Sequence, residues 1–127
     1  MKKVWIVDDD EEMSRAIGLM LKLLDCEVRA FYNARSAAQT LLTGVSPQLL
    51  ILDINMPEVS GLDMLEFLRR RSEWKSLPII MLSSEAADSM VDQALQMGAN
   101  TYLTKPVTIE ELEKAMAYLD HNRMNVK

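Results

Sequence analysis

Short apolar runs rich in β-branched residues alternate five times with longer stretches of helical period. The runs Lys3 to Asp8, Glu27 to Tyr32, Leu49 to Asp53, Ile79 to Ser83 and Thr101 to Thr104 predict strands. Between them the apolar positions repeat every three or four residues. Met13, Ala16, Ile17, Met20, Leu21 and Leu24 form one stripe, and Ala34, Ala37, Ala38, Leu41 and Leu42 a second, which stops at Gly44. Leu62, Met64, Leu65, Phe67 and Leu68 mark a third helix. Met90, Val91, Ala94 and Leu95 before Gly98 mark a fourth, and Ile109, Leu112, Met116 and Leu119 a fifth. Asn33 and Ser60 suit N-cap positions, Thr108 with Glu111 makes a capping box, and Gly44 and Gly98 suit left-handed helix ends.

Strict alternation of strand and helix implies parallel strands joined by right-handed crossovers. The run Leu49 to Leu52 is apolar on both faces, as helices on both sides of a sheet require. The expected fold is a single doubly wound α/β sandwich of residues 1–120, followed by a polar tail, 121–127. At 127 residues and 49% hydrophobic content, one such domain buries roughly two-thirds of the surface its unfolded chain exposes. No apolar run reaches the ~18 residues that cross a bilayer. The lone Cys26 excludes an internal disulfide and fits a reducing, cytoplasmic setting. A net charge of −5 argues against nucleic-acid binding by this domain, because such binding relies on cations that neutralise phosphates.

In an open parallel sheet, ligands bind beyond the carboxyl ends of the strands. Those ends carry Asp8, Asp9 and Asp10, then Asp53 and Asn55, then Ser83 and Ser84, and finally Lys105 before Pro106. Carboxylates of Asp8, Asp9 and Asp53 within about 6 Å of one another would repel by about 3 kcal/mol per pair at an effective dielectric near 20, and a cation relieves that cost. All-oxygen donors suit Mg²⁺, with Mn²⁺ tolerated. Each feature also has a plain structural use: acids favour a helix N-terminus, Asp53 could open a turn completed by Pro57 and Gly61, the serines could cap a helix, and Lys105 could be solvated. Their convergence on one rim favours a joint chemical role. A carboxylate beside a divalent cation, a hydroxyl and an ammonium is equipped for phosphoryl chemistry, with Asp53 attacking. No glycine-rich phosphate loop is present, and the one histidine, His121, lies in the tail.

This constellation resembles the receiver domain of two-component response regulators over about Lys3 to Leu119. Val7-Asp8-Asp9 is similar to the family's acidic pair, and Asp53-Ile54-Asn55-Met56-Pro57 with Gly61 to its phosphoacceptor turn. Ser83 stands at its hydroxyl position, and Tyr102-Leu103-Thr104-Lys105-Pro106 matches its aromatic-x-x-Lys-Pro segment. The resemblance implies strand order 2-1-3-4-5 and a phosphoryl group accepted on Asp53 from a histidine kinase or histidine phosphotransfer protein. It also implies Mg²⁺ held by Asp9 and Asp53, by Asp8 through water, and by the Asn55 carbonyl. Lys105, on a cis bond to Pro106, would contact the phosphoryl group, while Ser83 and Tyr102 would form a switch pair. The fourth helix, fifth strand and fifth helix would then present a changed face to a downstream effector or output domain, or to a phosphorylation-dependent homodimer.

The sequence also departs from the family pattern. Serine at 83 lacks threonine's methyl group, Ser84 replaces the usual small residue, and Val107 replaces a frequent phenylalanine. Asn100 and Thr101 stand where the winged-helix subfamily carries an acidic pair, which argues against that style of dimer. Two other functions stay in view. One is a phosphatase with its nucleophile in the Asp8-x-Asp10 arrangement, and the other is an interaction module indifferent to phosphate. The methionines, Cys26 and Trp5 read as packing residues, and Arg69-Arg70-Arg71 as a solvated helix end.

Overall fold

A computed structural model describes residues 1–84 and 88–125, with side chains for all of these except 88, 89 and 122–125. Strands β1 (Lys2–Val7), β2 (Cys26–Phe31), β3 (Leu49–Asp53), β4 (Ile79–Ser83) and β5 (Thr101–Thr104) form one sheet. Every pairing is parallel and the order is β2-β1-β3-β4-β5, as expected. Helices α1 (Glu11–Leu23), α2 (Ala34–Leu42), α3 (Gly61–Arg69), α4 (Asp88–Gln96) and α5 (Ile109–Asn125) alternate with the strands. A single 3-10 turn, Ser72–Trp74, follows α3. The α5 backbone continues as helix through His121 to Asn125, into the stretch read as a polar tail. β1 and β2 each start and end one residue earlier than the pattern predicts, because Asp8 and Tyr32 already belong to the turns that lead into α1 and α2.

Side chains alternate along the central strands and divide the interior into two layers. Trp5, Val7, Leu50, Leu52, Ile79 and Met81 pack under α2, α3 and α4, while Val4, Ile6, Leu49, Ile51, Ile80 and Leu82 pack under α1 and α5. β3 and β4 are buried on both faces, as their unbroken apolar runs require. The buried face of α1 is Ser14, Ile17, Gly18 and Leu21, whereas Ala16 is exposed and Met13, Met20 and Leu24 are half-buried. Its stripe is therefore rotated from the one drawn through Ala16. Ser60 and Asp63 form a reciprocal capping box on α3, Thr108 and Glu111 form another at α5, and Asn33 caps α2. Gly44 and Gly98 have φ of +99° and +113°. The plain structural use of Ser83 and Ser84, as caps of α4, involves positions outside the described residues.

The arginine run is corrected at its first member. Arg69 is not a solvated helix end. Its guanidinium is half-buried and donates to the carbonyls of Gly98 (2.9 Å), Trp74 (2.8 Å) and Leu77 (2.8 Å) and to Asn100 Oδ1 (3.1 Å). Asn100 Oδ1 also accepts the Ile79 amide at 2.8 Å. Arg70 is exposed and pairs with Glu66 one turn back, and Arg71 lies over the rings of Phe67 and Trp74. One half-buried cation thus joins the end of α3 to the segments that enter β4 and β5.

Candidate functional site

The site lies at the carboxyl rim of β1, β3, β4 and β5. Asp8 follows the last residue of β1 and is fully buried. Its amide donates to the Phe31 carbonyl, and its Oδ1 accepts the Asp10 amide at 2.9 Å. Ser14 Oγ reaches the Asp8 carbonyl at 3.4 Å from the first turns of α1. Asp10 is occupied otherwise, since its side chain caps α1 by accepting the Met13 amide at 3.1 Å. An Asp8-x-Asp10 nucleophile pair is therefore poorly served: one member is a helix cap and the other is paired with a lysine.

Asp53 ends β3 and is 2% exposed. Its Oδ1 accepts the Asn55 amide at 3.3 Å, and the following loop is anchored by the buried side chains of Ile54 and Met56. Gly61, at the start of α3, donates its amide to the Ile54 carbonyl, and a Cβ at this position would overlap the carbonyl of Asp53. Glycine is therefore required for contact rather than for turning.

Ile54 donates to the Leu82 carbonyl and Lys105 to the Ser83 carbonyl, so the end of β4 is tied to the residues on either side of it. Buried Ser83 consequently ends the strand next to Asp53, and Lys105 follows the strand beyond. The Lys105–Pro106 bond is cis. Lys105 Nζ lies 2.8 Å from Asp8 Oδ2 and 3.5 Å from Asp53 Oδ1.

One oxygen from each of Asp8, Asp9 and Asp53 falls within a group spanning no more than 4.8 Å. Metal–oxygen distances of about 2.1 Å place opposite ligands of an octahedron roughly 4 Å apart, so the donors present fit one hard divalent cation. Burial, and next the Asp8 carboxylate, push the Asp53 carboxyl from 3.8 up to about 7, against the downward pull of Lys105. Burial disfavours the Lys105 charge, but Asp8 and Asp53 outweigh it and hold the ammonium above its ordinary value. Crowded like charge that one lysine does not balance is what a cation would relieve.

Of the residues singled out on sequence, Asp8, Asp9, Asp53 and Lys105 come together, with Ser83 and Asn55 at adjoining positions. Tyr102 does not enter the pocket, and its side chain lies on the surface of β5, 42% exposed. Ser14 supports the site but was not identified for it. A serine one turn before Ile17 on a buried helix face was the available signal for Ser14.

Residues 4–117 match the response regulator receiver domain family. Chemotaxis protein CheY1 of Helicobacter pylori is 36% identical over 115 residues, covering 90% of this chain and 93% of that protein. Protein RcaC of Microchaete diplosiphon is 34% identical over 110 residues, but the match spans only 17% of its length. The structure of Vibrio cholerae chemotaxis protein CheY4 superposes with a TM-score of 0.85 at 28% identity, covering 93% of this chain and 98% of that one. Sandwich topology, rim chemistry and family match agree, and the chain belongs to the response regulator receiver domain family.

Proposed function

We propose that Asp53 is the aspartate that is phosphorylated here, phosphorylation of an aspartate being the general mechanism of this family, and that the chain works as a switch rather than a turnover enzyme. The observation that carries this reading is the meeting of three acidic side chains within 4.8 Å, with the Lys105 ammonium 3.5 Å from Asp53. An Asp53 carboxylate oxygen attacks phosphorus of a phosphohistidine on a histidine kinase or phosphotransfer protein. The new O–P bond forms as the N–P bond breaks, and the electron pair leaves with the imidazole. Asp8, Asp9 and Asp53, with the Asn55 carbonyl, would hold Mg²⁺, which supplies charge neutralisation at the transferring group. Burial of Asp53 excludes competing water, and its link to the Asn55 amide fixes the orientation of the carboxylate.

Lys105 and Ser83 then bind the phosphoryl oxygens. Moving a two-state equilibrium from about 1:99 to 99:1 needs ~5.5 kcal/mol, and charge-assisted hydrogen bonds contribute roughly 1.5 to 3 kcal/mol each. Two such contacts supply most of the change. Inward rotation of the exposed Tyr102 ring behind Ser83 remodels the face made by α4, β5 and α5, where a downstream effector or output domain docks. Incubation with acetyl phosphate and Mg²⁺ tests the assignment by mass spectrometry. One phosphate is expected on the wild-type chain and none on Asp53→Asn, and label retained by the variant refutes the role of Asp53.

A further inference from the structure

β2 (Cys26–Phe31) is the outermost strand, and among the described residues its only strand partner is β1. The Phe31 carbonyl accepts the Asp8 amide at 3.0 Å, so Phe31 turns its main-chain groups toward β1. Main-chain groups alternate sides along a strand. Glu27 and Arg29 therefore also face β1, while Cys26, Val28 and Ala30 present their N–H and C=O groups outward. The six residues contain no proline, and their register with β1 is unbroken, so neither a proline nor a bulge blunts this edge.

We propose that this edge pairs with the same edge of a second copy of the chain, antiparallel about a twofold axis through Val28. In that register Val28 faces Val28 and Cys26 faces Ala30, all through outward main-chain groups. Glu27 then lies opposite Arg29 of the other copy, twice, at the non-hydrogen-bonded sites where side chains approach most closely. Centring the pairing on Glu27 would set two glutamates opposite each other, and centring it on Arg29 would set two arginines opposite each other. Charge thus selects one of these three neighbouring registers. The Arg29 guanidinium lies 4.9 Å from the Phe31 ring centre and 5.7 Å from that of Trp5, which holds it on the side of the sheet that Glu27 also occupies.

Exposed apolar side chains support the same partner. On the opposite side of the sheet, a groove of about 220 Å³ separates α1 from the edge, where Leu19, Val28, Ala30 and Tyr32 line it together with the cations Arg15 and Lys22. Leu19 is 58% exposed, Leu23 one turn later 77%, and Tyr32 47%. A twofold axis normal to the sheet places both copies of α1 on the same side, so these grooves meet and the exposed leucines are covered. None of the pairing groups belongs to the acidic pocket, and the association is independent of phosphorylation at Asp53.

Sedimentation velocity of the full chain over a concentration series tests this, with a concentration-dependent dimer expected. Glu27→Arg and Arg29→Glu each place like charges opposite one another and should raise the dissociation constant at least about tenfold. Mixed in equal amounts, the two variants regain both opposite-charge pairs and should form a heterodimer. Ala30→Pro removes an outward N–H and should abolish the dimer, while acetyl phosphate still labels Asp53. A wild-type chain that stays monomeric throughout, single variants that associate like wild type, or a mixture no better than its components would each overturn the proposal.

Discussion

The Lys105 ammonium lies closer to Asp8, at 2.8 Å, than to Asp53, at 3.5 Å. Its shortest contact is thus with an acid other than the proposed acceptor. Lys105→Met leaves two buried carboxylates facing each other without their cation. Urea denaturation slightly above neutral pH and without divalent ions should show a loss of about 2 to 4 kcal/mol. Added Mg²⁺ should recover more stability in the variant than in the wild type, and equal gains would show that the lysine does not balance this pocket.

Asp53 gives a pH dependence of definite sign. Its folded-state value of about 7 lies above the ordinary 3.8, so the folded chain holds this proton more tightly than the unfolded chain. The stabilisation is complete below about pH 4 and is lost as pH rises through about 7, with stability falling across that window. Asp53→Asn cannot lose the proton. Without metal, the melting temperature of the variant should exceed that of the wild type by a margin that grows from acidic to alkaline pH. Mg²⁺, which needs the carboxylate ionised, should bind more tightly as pH rises and narrow the margin.

Two adjacent arginines should respond very differently. Arg69→Met strips a hydrogen-bonded partner from three carbonyls and Asn100, and should cost about 2 to 4 kcal/mol. Arg70→Ala removes one exposed ion pair with Glu66 and should cost about 0.5 kcal/mol or less. Chemical denaturation of both variants checks the contrast, and equal costs would sink it.

Gly61→Ala forces a methyl group into the Asp53 carbonyl. A loss of about 3 kcal/mol or more is expected, because backbone on both sides must move. Phosphorylation by acetyl phosphate should slow as the proposed acceptor shifts. A variant as stable and as reactive as wild type would show that this close approach is relaxed in solution.

The sheet order and rim chemistry were legible because both arise from local signals that repeat. Short apolar runs rich in β-branched residues mark the strands, and parallel topology brings Asp8, Asp53, Ser83 and Lys105 to one edge. Arg69 was not legible. A basic residue at the end of a helix looks the same whether it meets water or the carbonyl of a residue 29 positions later. The rotation of α1 was hidden for a related reason: Ser14 and Gly18 are not apolar, yet Ser14 bonds to the Asp8 carbonyl and Gly18 packs near Val28. The capping residues were legible because their partners lie three positions away.

The Arg69 guanidinium joins segments at the amino ends of β4 and β5, whereas Ser83 and Lys105 occupy the carboxyl ends of the same strands. Under the proposed switch, that pair of strands would act as a cantilever, bolted at one tip and loaded at the other. A displacement begun at the loaded tip would emerge as a swing about the bolt, with its largest excursion far from Arg69. Loosening the bolt would let the same push dissipate as sliding, and the outer face would register less of it.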